Sequence, residues 1–393
     1  MARSLRAAMA GRLAGSVTDR APREQNGMRV GILGAGQLGQ MLALAGIPLG
    51  MRFDFFSPTE SPSAEAVGSV VIGQYDDANA LRAFAQSVDV VTYEFENVSA
   101  GAVAEIEPIT PVWPPKAALV TSQDRAIEKR KFTELGIPVA PHALVDSFAE
   151  LESAIRDIGT PGILKTRRFG YDGKGQVGIH ARSDAEPAWN ALGAAPLIYE
   201  GLVSFERELS VIAVRSRDGA TLCYPVSENR HRNGILRTSY APADRLSDKK
   251  RHEAESYART LLGALDYVGV IAIEMFDTDT GLVANEMAPR VHNSGHWTIE
   301  GAETSQFENH MRAVCGLPLG DCAPVGFSAM VNLIGEHPDT AGVLAVPDAH
   351  LHLYGKSERP GRKLGHVTVR SRTHEELKRH VTSLRRVPGI EPE

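Results

Sequence analysis

The sequence predicts an α/β unit built on a doubly wound parallel sheet, followed by an α+β region and a small β-rich lobe. Three observations carry this. From Met28 onward, short apolar strands alternate with helical stretches at the spacing of βαβ units. A proline-rich stretch, Pro108 to Pro115, closes that pattern. Beyond it strands mix with helices, and from Phe327 short strands and turns dominate.

Met28–Leu33 reads as a buried strand, followed by Gly34-Ala35-Gly36-Gln37-Leu38-Gly39 and a helix from Gln40. Arg52–Phe56, Val67–Ile72 and Asp89–Thr92 read as strands, Ala78–Gln86 as a helix and Ser122–Leu135 as one charged helix. Strands are expected at Ile163–Thr166, Val177–His180, Leu197–Glu200, Leu209–Val214 and Val270–Phe276, with helices at Phe148–Asp157 and Lys249–Leu265. The last part offers strands at Ala329–Leu333, His352–Tyr354 and His366–Arg370. The expected division is an extension over 1–27, then units over 28–121, 122–326 and 327–393.

Of 393 residues, 43% are hydrophobic and 23% charged, the balance of an ordinary globular chain with room for a large core. The net charge of −6 argues against a general nucleic-acid-binding surface. No apolar run is long enough to span a membrane. Three cysteines without a Cys-x-x-Cys spacing argue against a disulfide framework or structural zinc and fit a reducing cytosol. The first 27 residues carry Arg3, Arg6, Arg12, Arg20 and Arg23 against Asp19 and Glu24. A transit peptide is one reading; a disordered tail, or an upstream start ahead of Met28, is the simpler one.

Several motifs bear on chemistry. Gly34, Gly36 and Gly39 match G-x-G-x-x-G after a strand, where backbone amides face an anion. A dinucleotide site also needs an acid closing the second strand. Asp54 stands at about that distance but inside an apolar run, so a tight turn or a loop facing another substrate competes with the NAD reading. Phe169–Gly178 holds four glycines and Lys174 between two strands, either a phosphate-cradling loop or a plain hairpin turn. Lys165, inside an apolar strand just upstream, must meet an anion or reach out to water.

The most informative segment is Val270–Glu286. Two apolar runs flank Asp279-Thr280-Gly281, read as a three-residue hairpin loop with glycine in the left-handed position. That register pairs Thr278 with Leu282, Phe276 with Ala284, and Glu274 with Glu286. Directly opposed carboxylates must lose a charge or share a cation, and magnesium is the natural candidate; a solvated pair on a sheet edge is the alternative. His292 and His296 have a zinc-binding spacing only if helical, and Pro289, Ser294 and Gly295 argue for a polar loop instead. Tyr354–Lys363 gathers Lys356, Arg359, Arg362 and Lys363, a phosphate-binding cluster or a solvated turn.

Eight segments in order now carry a resemblance: Gly34–Gly39, Thr92–Val98, Gln123–Arg125, Arg168–Gln176, Glu200–Ser210, Glu228–Leu236, Asn285–Thr298 and Tyr354–His366. From Met28 to Val369 the chain resembles the N5-carboxyaminoimidazole ribonucleotide synthetases, ATP-grasp enzymes of purine biosynthesis. The resemblance implies an ATP-grasp fold with an N-terminal Rossmann-like domain, and ATP- and bicarbonate-dependent carboxylation of aminoimidazole ribonucleotide through carboxyphosphate. It further implies a cytoplasmic homodimer that uses ATP and two magnesium ions. Other ATP-grasp ligases, of the formate-dependent glycinamide ribonucleotide transformylase or biotin carboxylase type, are the nearest alternative. An NAD-dependent oxidoreductase and an ATP-binding sensor without turnover are the rivals outside that class.

By the same resemblance, Arg125, Lys165 and the loop Gly170, Tyr171, Asp172, Gly173, Lys174, Gly175, Gln176 would hold the ATP phosphates. Glu200, Gly201, Leu202 and Val203 would form the hinge that reads adenine, Glu208 would take the ribose hydroxyls, and His231 would line the nucleotide site. Glu274 and Glu286 would carry magnesium, with Asn285 beside them. Asp172, Arg290 and Lys356 are the candidates for handling carboxyphosphate and the substrate amine. Lys356, Arg359 and Arg362 would take the ribonucleotide phosphate, with Gly36, Gln37, Leu38, Glu94, His292, Asn293 and Ser294 nearby.

Overall fold

The computed structural model describes residues 27–60, 62–170, 174–193 and 195–391. The expected N-terminal extension, but for Gly27, lies outside the described residues, as do Tyr171, Asp172 and Gly173.

The chain begins with β1 (Arg29–Leu33), α1 (Gln37–Gly46), β2 (Arg52–Ser57), α2 (Pro62–Glu65), β3 (Ser69–Ile72), α3 (Ala78–Ser87), β4 (Val90–Tyr93) and α4 (Ala100–Ile106). The four strands form one parallel sheet in the order β3-β2-β1-β4. Chain direction across the sheet reverses between β1 and β4, so a crevice opens at their C-terminal ends, where such sheets bind ligands. Gly34 and Glu94 sit at that crevice.

The helix expected over 122–135 is α6 (Arg125–Glu134), and a separate α5 (Lys116–Ser122) precedes it. Asp124 causes the break. Its carboxylate accepts from the Ala126 N–H as an N-cap and pairs with Arg167 at 2.8 Å, so the backbone leaves the helical path there.

A second, antiparallel sheet follows: β5 (His142–Val145), α7 (Phe148–Ile158), β6 (Gly162–Thr166), β7 (Gln176–Ile179), α8 (Ala185–Leu192) and β8 (Leu197–Gly201), ordered β5-β8-β6-β7. α7 and α8 bury Leu151, Ile155 and Ala188 against it.

The third sheet is the largest. Its strands are β9 (Arg207–Arg215), β10 (Thr221–Cys223), β11 (Ser227–Arg232), β12 (Ile235–Ala241), then after α9 (Asp248–Ala264), β13 (Gly269–Thr278) and β14 (Gly281–Ala288). After α10 (Thr298–Gly301) and α11 (Gln306–Val314) come β15 (Phe327–Ile334), α12 (Thr340–Leu344), β16 (Ala349–Leu353), β17 (Lys363–Ser371) and α13 (His374–Leu384). The order is β14-β13-β9-β11-β12-β15-β17-β16, with β10 paired to β9. The C-terminal lobe is β-rich as expected, yet its strands continue the central sheet through the β12–β15 ladder. Helix α13, absent from the sequence reading, closes it with Leu377, Val381 and Leu384. Among the described residues no helix is long and apolar enough to cross a membrane.

The β13–β14 hairpin corrects one expectation. Thr278 pairs with Gly281 across a two-residue loop, not a three-residue one, so Phe276 meets Val283 and Met275 meets Ala284. The Thr278 hydroxyl tightens this turn, donating to the Gly281 carbonyl at 2.7 Å. A bulge then gives β14 one extra residue, Asn285, and Glu274 still faces Glu286. Two offsets cancel: the shorter loop moves the register by one, and the bulge moves it back.

Candidate active site

The site lies where the three sheets meet. On the side of the small sheet, Lys165 of β6 finds its anion inside the protein: its Nζ is 3.1 Å from Glu200 Oε2. Lys129 of α6 reaches the same oxygen at 3.3 Å and donates to the Asn285 carbonyl at 2.9 Å. Burial opposes ionisation of Glu200, but Lys129 and Lys165 outweigh it and hold the carboxyl at about 2. Burial and the neighbouring cations push Lys165 below its ordinary value despite Glu200.

Arg125 Nη1 donates to Glu286 Oε2 at 3.0 Å, and Gly170 at the start of the glycine-rich loop lies against it in a small cavity that Phe169 and Glu286 also line. Lys174 and Gln176 are exposed at the far end of that loop. Gly175 has φ +68°, and a Cβ there would stand 2.6 Å from the Thr166 hydroxyl, so the loop folds tightly onto β6. In the expected hinge, the Gly201 and Leu202 N–H groups are engaged by the Pro141 and Pro161 carbonyls at 2.8 and 3.0 Å. Leu202 is exposed, and Val203 follows it into the connection to β9.

The two carboxylates of the hairpin occupy the centre. Burial pushes the Glu274 carboxyl up to about 7, and the facing Glu286 pushes the same way. His231 Nδ1 lies 2.8 Å from Glu208 Oε2, and both residues act electrostatically on Glu274. His292 Nε2 stands 3.5 Å from Glu274 Oε1; burial, then Arg290, depress it to about 3, so it faces Glu274 as a neutral ring. Asn293 and Ser294 form a 3₁₀ turn after it, and the buried Ser294 hydroxyl bonds His292 Nδ1 at 2.8 Å. Ser294 therefore orients the histidine. His296 is turned inward to Gln306 and the rings of Phe307 and His366.

Among the described residues no group of three or more His, Cys, Asp or Glu is arranged to hold a metal. The protein offers two opposed carboxylates that resist double ionisation. That set fits magnesium, which binds through one or two carboxylates and completes its shell with phosphate oxygens and water.

Arg290 is largely but not fully buried and bonds Glu96 through Nε, and its charge also acts on Glu94 and Glu286. Burial would raise Glu96, yet Arg290 brings it down to about 2. At the crevice of the parallel sheet, the Glu94 carboxylate takes the N–H groups of Gly36 and, at 2.7 Å, Gly39. The N-terminus of α1 thus holds the protein's own anion. Burial raises the Glu94 carboxyl, against those amides and the charges of Lys356 and Arg290. Asp54, the candidate ribose acid of the NAD reading, is bound to Arg29 instead.

Beside Glu94 is a cavity of about 620 Å³ lined by Gly36, Thr59, Ser63, Tyr75, Lys356 and Arg362, among others. Lys356 bonds Gln37 and lies over the Tyr354 ring. Leu38 packs into the core rather than into the cavity, and Arg359 is exposed outside its lining. The sequence reading missed Glu128, Lys129, Glu96 and Tyr75. Glu96 lay within a recognised segment; the two α6 residues sit in a helix read only as charged.

The comparisons agree with this architecture. The chain matches the models of the ribonucleotide synthetase preATP-grasp domain over residues 27–123, the ATP-grasp domain over 130–307 and the phosphoribosylaminoimidazole carboxylase C-terminal domain over 328–380. It is 51% identical over 343 residues to an N5-carboxyaminoimidazole ribonucleotide synthase of Pseudomonas aeruginosa, covering 87% of this chain and 94% of that one. A crystal structure of the synthetase from Thermus thermophilus superposes with TM-score 0.89 at 52% identity, covering 93% and 99% of the two chains. The Aspergillus clavatus enzyme in complex with ADP and 5-aminoimidazole ribonucleotide superposes with TM-score 0.86 at 34% identity, covering 91% and 98%. The chain belongs to the N5-carboxyaminoimidazole ribonucleotide synthase family of ATP-grasp enzymes.

Proposed function

We propose that this chain is an ATP-dependent ligase that carboxylates the exocyclic amine of 5-aminoimidazole ribonucleotide with bicarbonate, releasing ADP and phosphate. The observation that carries the reading is the opposed Glu274–Glu286 pair between two cationic bays. Arg125 lines one, with Lys129 and Lys165 buried nearby on Glu200; Lys356 and Arg362 line the other. Arg290 acts on Glu286 and on Glu94 and so links them.

Bicarbonate is a poor electrophile. A bicarbonate oxygen displaces ADP from the γ-phosphorus and forms carboxyphosphate. The substrate amine then attacks its carbon, phosphate leaves and the nitrogen loses a proton. Arg125, Lys165 and the loop Gly170–Gln176 are assigned to the triphosphate oxygens. Magnesium held by Glu274 and Glu286 would neutralise charge on the transferring phosphoryl group. Glu208 and His231 line the same side and are assigned to the nucleotide. Arg290, fixed by Glu96, is assigned to the anionic intermediate, which must be kept from water. Lys356 and Arg362 are assigned to the ribonucleotide, with Glu94 and the Gly36 loop. A homodimer is part of the same proposal, and three free cysteines fit a reducing cytosol.

The test is ADP release with magnesium, ATP and bicarbonate, with and without aminoimidazole ribonucleotide. A sharp rise with the ribonucleotide, and product only with bicarbonate, is expected. Unchanged release would show that the acceptor is wrong.

A further inference from the structure

β14 is an edge strand, paired along its length with β13 and touched on the other side by a single bridge between Val139 and Ala284. The amides and carbonyls on its free side still need partners. The Ala284 N–H finds the Pro138 carbonyl at 2.7 Å. The next two such groups flank Glu286, and consecutive residues of α6 meet them. Lys129 Nζ donates to the Asn285 carbonyl at 2.9 Å, and the Met287 N–H donates to Glu128 Oε1 at 2.7 Å. Both side chains are almost wholly buried. Taking a carboxylate out of water is costly, and this one is used on a backbone amide.

The placement matters because β14 has a competing register. If the pairing set by Thr278 and Gly281 ran on without the bulge, Asn285 would face Glu274 and Glu286 would turn to the opposite face of the sheet. Partners for the Asn285 carbonyl and the Met287 amide on the free edge select the bulged form.

We propose that Glu128 is a positioning residue for the metal-binding carboxylates. It holds the Met287 amide, and with Lys129 it fixes the bulge that brings Glu286 opposite Glu274. This rests on the reading of Glu274 and Glu286 as the magnesium carboxylates.

The experiment uses the full chain with saturating ADP. Manganese is the probe, titrated by electron paramagnetic resonance, with hydrogen exchange followed at the Met287 amide. Glu128→Met fills the space without an acceptor; Glu128→Gln keeps an oxygen for the same N–H. The expected result is manganese affinity weakened about 10- to 100-fold in Glu128→Met, with faster exchange at Met287, and near-normal values in Glu128→Gln. Should Glu128→Met not fold, Glu128→Asp carries the same test, because it withdraws the oxygen by one methylene and keeps the carboxyl group. Manganese affinity and Met287 exchange like those of the unmodified chain in the folded variant would overturn the proposal. Undiminished affinity in Glu286→Gln would instead overturn the metal reading, and this inference with it.

Discussion

Glu274 on β13 and Glu286 on β14 stand opposite each other because β14 carries one residue, Asn285, that has no partner on β13. The bulge makes two consecutive side chains, Asn285 and Glu286, partly accessible where strict alternation would hide one. Replacing Glu286 by Gln removes one of the two charges while leaving the shape. Magnesium-dependent turnover should fall by about 10²-fold or more, since the metal supplies several kcal/mol at about 1.4 kcal/mol per tenfold. Steady-state rates against magnesium concentration, with circular dichroism as the fold control, check this.

The buried lysines make a separate prediction. Glu200 is the anion shared by Lys129 and Lys165. Glu200→Gln leaves two buried ammonium groups without that charge, a loss of about 3–5 kcal/mol. Denaturant unfolding measures it, and a loss below about 1 kcal/mol would show that the lysines find other partners.

The pH dependence of stability in the metal-free chain follows from the buried groups. Glu274 and Glu128 are raised, to about 7 and about 8, burial first and Glu286 next in both. The folded chain therefore keeps protons there that the unfolded chain has released, and stability falls as pH rises through that range. His292 and His310 are depressed to about 3 by burial. Their contribution is present above the ordinary histidine value and is lost as the solution becomes more acidic. The midpoint of thermal unfolding in chelator should thus form a broad maximum between about pH 4.5 and 6.5, the ordinary glutamate and histidine values, and decline on both sides. A midpoint that rises steadily to pH 8 would contradict the assignment.

Lys356 tests the ribonucleotide side. Lys356→Met should raise the KM for the ribonucleotide by about 10- to 100-fold, the worth of one charge-assisted hydrogen bond, and leave the KM for ATP unchanged. Equal shifts in both would place the lysine elsewhere in the reaction.

Asp54→Asn should do almost nothing. Its partner Arg29 is half exposed, and such pairs contribute about 1 kcal/mol or less. Turnover assays and melting curves check this, and loss of activity would reopen a nucleotide role for the second strand.

Much of this was legible in the sequence. The strand–helix alternation before Pro108 is regular enough to give the parallel sheet, and Lys165 in an apolar strand called for an anion or a path to water. The source of that anion was not legible: Glu200 lies 35 residues away and meets Lys165 only through the pairing of β6 with β8. Glu274 and Glu286 were matched through a loop one residue too long and a bulge that no local pattern marks. Glu128 and Lys129 did not stand out in a charged helix because β14, whose edge they cover, is more than 150 residues further along. Glu94 was placed near the glycine loop, but only the folded crevice makes it the anion bound there.

The ladder from β12 to β15 has a consequence for how the protein can be divided. A boundary near residue 327 exists in the sequence but not in the hydrogen bonding, because β15 is inserted between β12 and β17. Severing the chain there and separating the pieces would bare two strand edges with open backbone groups, surfaces prone to stick to other chains. The bay around Arg125 and the bay around Lys356 are therefore inherited as one object: neither half can be exchanged between relatives without carrying the seam along.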